Sequence, residues 1–584
     1  MKKKLLLPLS LLALLTLAGC SKSGTTTDEN YGNDYNYNQP IVIEDPTDID
    51  VEENTGDFVL TTSDGSYTQS GNTYTLTKAG TYTASGNLVG QILVQAGDED
   101  EVVLELDGLS ISNSSDSPIK AVSGGKLEIS AKKDTGNTVT DSRKAKTTEV
   151  ATQGEGAISA DIDLKLKGTG TLVVTGNYNN GVHTSKDLEI QKLTLKSTGY
   201  NNAIKGKDSV TINSGLVQAY ALTGNGIKTD SSDVSSKGNQ RGTITFNGGT
   251  VYVDSLHDAV DASYNIETYE LDSTIPTKIS IKTGTKSENY SSSTFKADSE
   301  KGLKSANDIV INKGTIVIAA SDDAIHANYG DTLENGSKGT GNITINDGLI
   351  QVASGDDGLH SDNTLTINGG KVVVTGATEG FEGNYINING GYSYIYGSDD
   401  GVNCSKKSFN SCAFTMTGGY LDVAVKSGDT DGIDSNGNFT LSGGAIVTRG
   451  SPGTTGSGMS TGLDVDGTCS MTGGTLIAFN GLETKPSTGS NVKYAGTSNA
   501  NSGGQGGGPG GGPGGGHPAT SKTFAAGNYV LSGDGVNVSF TNDYIYGSFL
   551  VYSSGLTSNA TYTLTCNEST VVSWSQTSNS VTIS

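Results

Sequence analysis

The chain has 584 residues, including 82 Gly and 10 Pro, and its 62 acidic against 38 basic side chains give a formal net charge of −24. This negative charge repels nucleic-acid phosphates, so nucleic acid is excluded as a partner. Glycine and β-branched residues disfavour helices, and the 33% hydrophobic content suits thin β-structure with many turns.

The N-terminus has the form of an export signal. Three lysines precede an apolar run from Leu5 to Leu17, which is too short to span a bilayer and is followed by small residues. Leu17-Ala18-Gly19-Cys20 resembles a bacterial lipobox, which implies a lipid on Cys20 as the membrane anchor and a place at the bacterial cell surface; an ordinary secreted protein is the alternative. We predict a lipoprotein signal peptide over 1–20 and a flexible polar tether over 21–52.

A four-residue phrase recurs along most of the chain: Gly or Ala, an aliphatic residue or Phe, usually a polar residue, then usually a small residue. The shortest spacings are 21 to 23 residues, and polar inserts such as 328–341 lengthen others, so the period is about 22. Pro118 to Ala121 is a candidate early copy. The second positions are Ile158, Val182, Ile204, Ile227, Val260, Leu303, Ile325, Leu359, Phe381, Val402, Ile433 and Leu463.

A second phrase, such as Leu-Thr-Ile-Asn-Gly-Gly over 365–370, joins two alternating strands through a glycine turn. Three short strands in about 22 residues predict one coil of a parallel β-helix, with coils about 4.8 Å apart and the second positions facing inward. The leucine-rich pattern is missing, and propeller blades are longer. The predicted fold is therefore all-β, a right-handed parallel β-helix with terminal β caps.

The predicted β-helix covers 53–501, with looser first coils up to about residue 150. A Gly/Pro-rich linker or loop follows over 502–520. Alternating strands over 521–584 predict a terminal cap or a small β domain, because a repeat stack needs its last face covered.

In-register stacking turns one repeat position into one line on the surface. Acidic residues recur directly before the phrase, and further acids share the outward position inside it with three histidines. The predicted metal ligands are Asp258, Asp322, Asp323, Asp356, Asp357, Glu379, Asp399, Asp400, Asp431 and Asp434. The outward position also holds Asp261, Glu382, Asp464, His183, His326 and His360.

Carboxylates one coil apart repel each other by about 3.5 kcal/mol at an effective dielectric of 20. Calcium relieves such repulsion and prefers six to eight oxygen ligands, so the pattern predicts Ca²⁺. The alternative is a solvated acidic edge made of turn-forming Asp. A transition metal on His326 and His360 is less favoured, because the surroundings are rich in oxygen.

Other residues carry weaker predictions. Cys404 and Cys412 are close enough in sequence to close a small disulfide loop in an exported chain, or they are simply small buried residues. Tyr392, Tyr394 and Tyr420 are candidates for stacking on sugar rings, with strand-surface packing as the alternative. His326, His360 and Glu382 are the remaining candidate ligand-binding residues.

The phrases Asp-Asp-Gly-Leu-His-Ser (356–361), Asp-Asp-Ala-Ile-His-Ala (322–327) and Leu-Thr-Ile-Asn-Gly-Gly (365–370), with the segments 90–107 and 502–516, resemble a bacterial family of cell-surface carbohydrate-binding β-helix proteins. The resemblance covers most of 54–584. It implies a right-handed parallel β-helix, bound calcium and adhesion to plant cell-wall polysaccharide such as polygalacturonate or cellulose. The acidic pair is lost at Glu300-Lys301 and at Ser460-Thr461.

Three functions remain open at this point. The first is calcium-dependent, non-catalytic binding of polysaccharide, and it is the one we favour. The second is a β-helix lyase or hydrolase, with Lys304 or Lys228 as a candidate base, although the arginines lie outside the acidic column. The third is a structural adhesin for a protein or cell partner.

Overall fold

The computed structural model describes residues 41, 43, 45–147, 153–284, 299–454, 460–497 and 522–583. The predicted signal peptide, Cys20, most of the tether and the Gly/Pro-rich segment 502–520 lie outside these residues. All regular elements of the described residues are β-strands, so they contain no helix able to cross a membrane. This confirms the all-β prediction.

Most strands fall into three stacked columns, because each strand pairs in parallel with the strand about three places later in the chain. Ile158, for example, lies beside Val182, and Val182 lies beside Ile204. Connections of this kind are compatible with a β-helix or solenoid. We name the columns the phrase column, the turn column and the third column.

The phrase column contains Thr73–Leu76, Gln91–Gln95, Ile119–Ser123, Gly156–Ala160, Asn180–Thr184, Ile204–Gly206, Ile227–Lys228, Val260–Ala262, Leu303–Ser305, Ile325–Ala327, the first halves of Leu359–Ile367 and Phe381–Ile388, then Val402–Cys404, Ile433–Ser435 and Leu463–Val465.

The turn column contains Gly80–Val89, Glu101–Asn113, Lys126–Ala131, Asp163–Gly168, Asp187–Gln191, Ser209–Ile212, Thr243–Phe246, Ile266–Thr268, Ile309–Ile311, Ile343–Ile345, the second halves of Leu359–Ile367 and Phe381–Ile388, then Ala413–Met416, Asn438–Leu441, Cys469–Met471 and Ser487–Thr488.

The third column contains Gly136–Asp141, Thr171–Gly176, Leu193–Gly199, Gly215–Ala221, Gly249–Ser255, Thr277–Thr283, Thr315–Ala320, Leu349–Ser354, Lys371–Gly376, Tyr392–Gly397, Tyr420–Val425, Ala445–Arg449 and Thr475–Phe479. Four further strands have antiparallel partners: Val59–Thr62 pairs with Gly80–Val89, Tyr67–Ser70 pairs with Thr73–Leu76, and in the 328–341 insert Tyr329–Thr332 pairs with Lys338–Thr340.

The inward column is as predicted. All twelve second positions from Ile158 to Leu463 are fully buried, and each pairs with the next along the stack. Ile119 pairs with both Ile92 and Ile158, which confirms the early copy at 118–121 and extends the column toward the N-terminus. Apolar side chains from successive coils therefore share one continuous core.

Glycine opens many phrases because the coils pack closely there. A Cβ at Gly380 would lie 2.0 Å from the side chain of Ile395, and one at Gly401 would lie 2.0 Å from Val423. The second glycine of the turn phrase has a different role. Gly370 has φ +77°, and a Cβ there would lie 2.6 Å from the carbonyl oxygen of Gly348.

The C-terminal residues cover the last coil and one flank of the third column. A four-stranded antiparallel sheet contains Gly527–Gly533, Val536–Asn542, Thr561–Cys566 and Ser569–Ser575. Phe549–Ser553 pairs antiparallel with Thr475–Phe479 and with Lys493–Thr497, which also pairs with Ser580–Ile583. An apolar cluster joins this sheet to the third column.

A buried ion pair reinforces that junction. Arg449 is fully buried, pairs with Asp422 and donates to Asn542 Oδ1 at 2.7 Å and to the Thr541 carbonyl at 2.7 Å. The guanidinium therefore links a third-column strand to the C-terminal sheet.

At the other end, an extended segment lies along the third column. The Tyr252 hydroxyl donates to Asp45 at 3.0 Å, Gln218 donates to the Thr47 carbonyl at 2.9 Å, and Asn54 donates to the Gly108 carbonyl at 2.6 Å. We call residues 45–54 the strap. It runs from the middle coils back toward the first ones.

Candidate functional site

The acidic residues before the phrase form a hydrogen-bonded ladder. Asp323 accepts the Asp357 N–H at 3.0 Å, Asp357 accepts the Glu379 N–H at 3.3 Å, and Asp400 accepts the Asp431 N–H at 2.7 Å. Each of these acids therefore uses Oδ1 to hold the next coil. Its Oδ2 remains available for another partner, and the identity of that partner differs along the stack.

The outward position of the phrase is also one column, because its members pair from coil to coil. Its order is Lys120, Ser159, His183, Lys205, Lys228, Asp261, Lys304, His326, His360, Glu382, Asn403, Asp434 and Asp464. Sequence reasoning placed the acids and histidines on this line but did not assign the lysines to it, although lysines dominate its N-terminal half.

Two stacked imidazoles occupy the middle of the column. His326 Nδ1 lies 2.6 Å from Asp323 Oδ2, and His360 Nδ1 lies 2.7 Å from Asp357 Oδ2. The two rings are parallel within 10°, with centroids 4.3 Å apart. Asp362 lies on their far side, 3.2 Å from His360 Nε2 and 3.6 Å from His326 Nε2. We call these five residues the acid–imidazole cluster.

The cluster favours charged imidazole at His360. Burial opposes the charge, but hydrogen bonds to Asp357 and Asp362 outweigh it and raise the pKa of His360 to about 10. The pKa values of Asp323 and Asp362 are lowered, because their imidazole partners outweigh the opposing effect of burial. The cluster thus neutralises part of its own negative charge.

Glu382 and Lys407 extend the cluster by one coil. Glu382 Oε2 lies 3.1 Å from His360 Nδ1 and 2.5 Å from the Lys407 ammonium, and the carboxylate is almost fully buried. Burial and the neighbouring Glu379 and Glu382 raise the pKa of Asp357. Glu382 is therefore part of a buried charge network.

Lysines neutralise the predicted ligands nearer the N-terminus. Lys304 Nζ lies 3.0 Å from Asp258, and Lys301 Nζ lies 2.8 Å from Asp322 and 2.7 Å from Asp323. Asp322, Asp323 and Asp356 still bring oxygens within 4.8 Å of one another. An ammonium at these acids competes with any cation for the same oxygens.

Among the described residues, the acids of this line from Asp399 to Asp464 have no such ammonium partner. Within the described ranges, no ion pair reaches Asp399, Asp400, Asp431, Asp434 or Asp464. Burial, followed by neighbouring carboxylates, raises the pKa of Asp400 to about 8, of Asp431 to about 7 and of Asp434 to about 6. These carboxylates follow one line of the stack, as predicted. We call Asp400, Asp431, Asp434 and Asp464 the acidic segment.

The acidic segment offers carboxylates to a cation, but among the described residues the groups of three ligands with atoms within 4.8 Å of one another lie elsewhere, at Asp322–Asp323–Asp356, Asp323–His326–His360 and Asp357–His360–Glu382. The possible donors of the acidic segment are carboxylate oxygens on successive coils, and burial followed by neighbouring carboxylates raises the pKa of Asp400 and Asp431, an effect that a bound cation would oppose. Calcium accepts irregular sets of six to eight oxygens, including carbonyls and water. Glu379 and Asp399 flank this segment, although Glu379 Oε1 already accepts a hydrogen bond from Asn403 Nδ2 at 3.0 Å.

Two of the three candidate sugar-stacking tyrosines require a correction. Tyr394 is 3% and Tyr420 is 1% exposed, because the C-terminal sheet packs on them, and the Tyr420 hydroxyl donates to Asp422 at 2.8 Å. Their rings are not accessible to a ligand. Tyr392 is 38% exposed, on the same strand as Tyr394.

Cys404 and Cys412 are both buried free thiols, and Cys412 Sγ donates to the Cys404 carbonyl at 3.2 Å. The contact brings the two residues together as their spacing suggested. Their disulfide stays a prediction.

Sequence reasoning missed two further sets of residues. Asp362 contacts both imidazoles, and its only signal was its place two residues after His360. Tyr329 and Phe409 lie in inserts that interrupt the repeat, with ring centroids 4.7 Å apart, and Tyr385 lies 6.1 Å from Phe409. The sequence carries one signal for this contact, because each of the two inserts contains an aromatic residue.

Comparison with known proteins matches residues 70–358, 329–380 and 355–505 to the family described as carbohydrate-binding domain-containing protein. A curated protein of the same description from Acetivibrio thermocellus is 32% identical over 210 residues, which is 35% of this chain and 65% of that relative. The match thus spans less than two thirds of the relative. A solved structure of a polysaccharide lyase-like protein from C. thermocellum, a gadolinium derivative, is 31% identical and covers 39% of this chain and 87% of its own, with a TM-score of 0.34.

Proposed function

We propose that this chain, which belongs to the family of carbohydrate-binding domain-containing proteins, binds polysaccharide in a calcium-dependent way without cleaving it. The family membership supports a polysaccharide partner. The single observation that carries the calcium dependence is the acidic segment, where stacked carboxylates have raised pKa values and no ion-pair partner among the described residues.

Asp400, Asp431 and Asp434 would hold the cation, with Asp399 and Glu379 at the edge of the site. Calcium there would supply positive charge for an acidic sugar chain such as polygalacturonate, which a protein of net charge −24 otherwise repels. The ladder supports this role, because the Asp431 N–H and the Thr461 N–H fix the orientations of the Asp400 and Asp431 carboxylates.

The proposal that the protein does not cleave polysaccharide rests on the state of the side chains that could act as a lyase base. Although burial opposes it, Asp258 and Asp261 raise the pKa of Lys304, so its ammonium stays protonated and is a poor proton acceptor. Arg143, Arg241 and Arg449 each pair with aspartates outside the acidic segment. A lyase-type base beside the acidic segment therefore has little support.

The architecture and location belong to the same proposal. Parallel strands joined by crossovers are right-handed in about 98% of cases, which supports a right-handed parallel β-helix. The lipobox-like Leu17 to Cys20 supports a lipid-anchored protein at the bacterial cell surface. A rigid stack of coils would hold the acidic segment away from the membrane.

The test is binding of the purified full-length protein to polygalacturonate with calcium or with a chelator. We expect binding with calcium, loss in chelator with an unchanged circular dichroism spectrum, and loss in an Asp400→Asn, Asp431→Asn double variant. Asp347→Asn is the matched control, because Asp347 is exposed and pairs with Lys313.

Binding that persists in chelator would remove calcium from the proposal. Release of unsaturated sugar product, seen as ultraviolet absorbance, would replace binding with lyase activity.

A further inference from the structure

Three aromatic rings meet on the surface beside the acid–imidazole cluster. Tyr329 lies in the 328–341 insert and is 39% exposed, while Phe409 in the next insert and Tyr385 are half-buried. Phe409 is the central ring, with its centroid 4.7 Å from Tyr329 and 6.1 Å from Tyr385. Neither hydrophobic core of the described residues includes any of the three.

The rings are held in place by the polar network beneath them. The Tyr329 N–H donates to Asp362 Oδ2 at 2.9 Å, and Asp362 in turn contacts both imidazoles. On the other side, Lys407 lies two residues before Phe409 and pairs with Glu382. The Tyr385 hydroxyl shares a hydrogen bond with Ser411 Oγ at 2.7 Å, which ties it to the end of the Phe409 insert.

We propose that Tyr329, Phe409 and Tyr385 form an aromatic platform on which a pyranose ring of the bound polysaccharide stacks. This inference rests on the proposed function and assigns it a contact surface. A pyranose presents an apolar face of C–H groups and a rim of hydroxyls. The Phe409 ring is inclined by 50° to that of Tyr329 and by 49° to that of Tyr385, so the platform supplies inclined apolar faces, and Asp362 and Lys407 lie beside it.

The occupant follows from the size and setting of the platform. Protein partners usually bury about 800 Å² on each side, which three partly covered rings cannot provide. A small apolar patch next to charged and hydroxyl groups instead matches the pockets that bind small polar ligands, where a few polar groups fix orientation. A sugar ring meets both conditions.

The platform is distinct from the acidic segment in what it recognises. Ring stacking depends on the sugar's C–H face, whereas the acidic segment acts through charge. Removing Phe409 should therefore weaken polysaccharide binding and leave calcium binding unchanged.

The experiment measures polygalacturonate affinity, calcium affinity and melting temperature for Phe409→Ala and Tyr329→Ala in the full-length protein. We expect each variant to lose about tenfold in polysaccharide affinity, with the other two quantities unchanged. Tyr67→Ala is the matched control, since Tyr67 is also 39% exposed and has an aromatic neighbour, Tyr74, at 6.1 Å.

Affinity equal to that of the control in both platform variants, while the unsubstituted protein binds, would overturn the platform and leave the proposed function intact. Parallel loss of calcium affinity or of melting temperature would also overturn it, because that result indicates a structural role. Absence of any binding by the unsubstituted protein would overturn the proposed function and this inference together.

Discussion

The two halves of the outward column have the same backbone and opposite electrostatics. In the N-terminal half, Lys205, Lys228 and Lys304 pair with acids of neighbouring coils. In the C-terminal half, Asp434 and Asp464 occupy the equivalent positions, and burial followed by the charge of Asp464 raises the pKa of Asp434 to about 6. The fold therefore supplies the register, and the residue at one position decides whether a coil carries an ammonium beside its carboxylates or lacks one.

The histidines of this column show the same contrast. Burial, followed by the charge of Lys205, lowers the pKa of His183 to about 4, and its buried Nδ1 has no hydrogen-bond partner within the described part of the chain. His360 has its pKa raised to about 10 by Asp357 and Asp362 despite burial. One repeat position thus holds a neutral imidazole in one half and a charged one in the other.

The largest expected effect comes from breaking the neutralised half. Lys304→Gln leaves Asp258, whose side chain is 4% exposed, without its ammonium. We expect a loss of about 2 kcal/mol in the free energy of unfolding, because an uncompensated buried charge is costly. Urea unfolding monitored by circular dichroism measures it.

Lys313→Gln is the control for that variant. Lys313 and Asp347 form an ion pair at 2.9 Å, but both side chains are about half exposed, so we expect almost no change. Equal destabilisation by the two substitutions would contradict the assigned role of Lys304.

The next test converts the acidic half toward the neutralised one. Asn403→Lys places an ammonium between Glu382 and Asp434, as Lys304 lies between Asp261 and His326. Calcium affinity should fall about tenfold, which corresponds to about 1.4 kcal/mol. Isothermal titration with calcium measures it. Asn389→Lys adds the same charge on an exposed turn residue and should have little effect; similar affinities in both variants would argue against a calcium site at the acidic segment.

The smallest effect is the titration of the two histidines in metal-free protein. His360 should stay protonated through neutral pH, so its contribution to stability is present below pH 6.5 and is lost as the pH rises through about 10. His183 should stay neutral at neutral pH, so the contribution of His183 to protein stability is present above pH 6.5 and is lost as the pH falls toward 4. Imidazole nitrogen NMR, assigned with His183→Gln and His360→Gln, checks both, and two ordinary titrations near pH 6.5 would remove the contrast.

Much of the fold could be predicted because its signals are local and periodic. The phrase spacing located the inward column from Ile158 to Leu463, and the acids before the phrase were placed on one ladder. The alternation of buried and exposed positions follows directly from strand geometry.

The rest depended on contacts that have no period. Tyr394 and Tyr420 are buried by a C-terminal sheet whose position no repeat encodes. Asp362 lies at the register shift inside the strand Leu359–Ile367, and Phe409 lies in an insert, so the repeat spacing does not give their positions. The ion pair of Lys304 could not be predicted from local spacing, because its partner Asp258 lies 46 residues earlier.

The strap determines where a pulling force enters the protein. Because Asp45 contacts Tyr252 while Asn54 contacts Gly108, tension applied upstream of Asp45 meets the middle coils before the first ones. The hydrogen bonds of the strap would then break in sequence, from the one between Asp45 and Tyr252 to the one between Asn54 and Gly108. Such a segment would act as a mechanical buffer that lengthens under load while the stacked coils keep their shape.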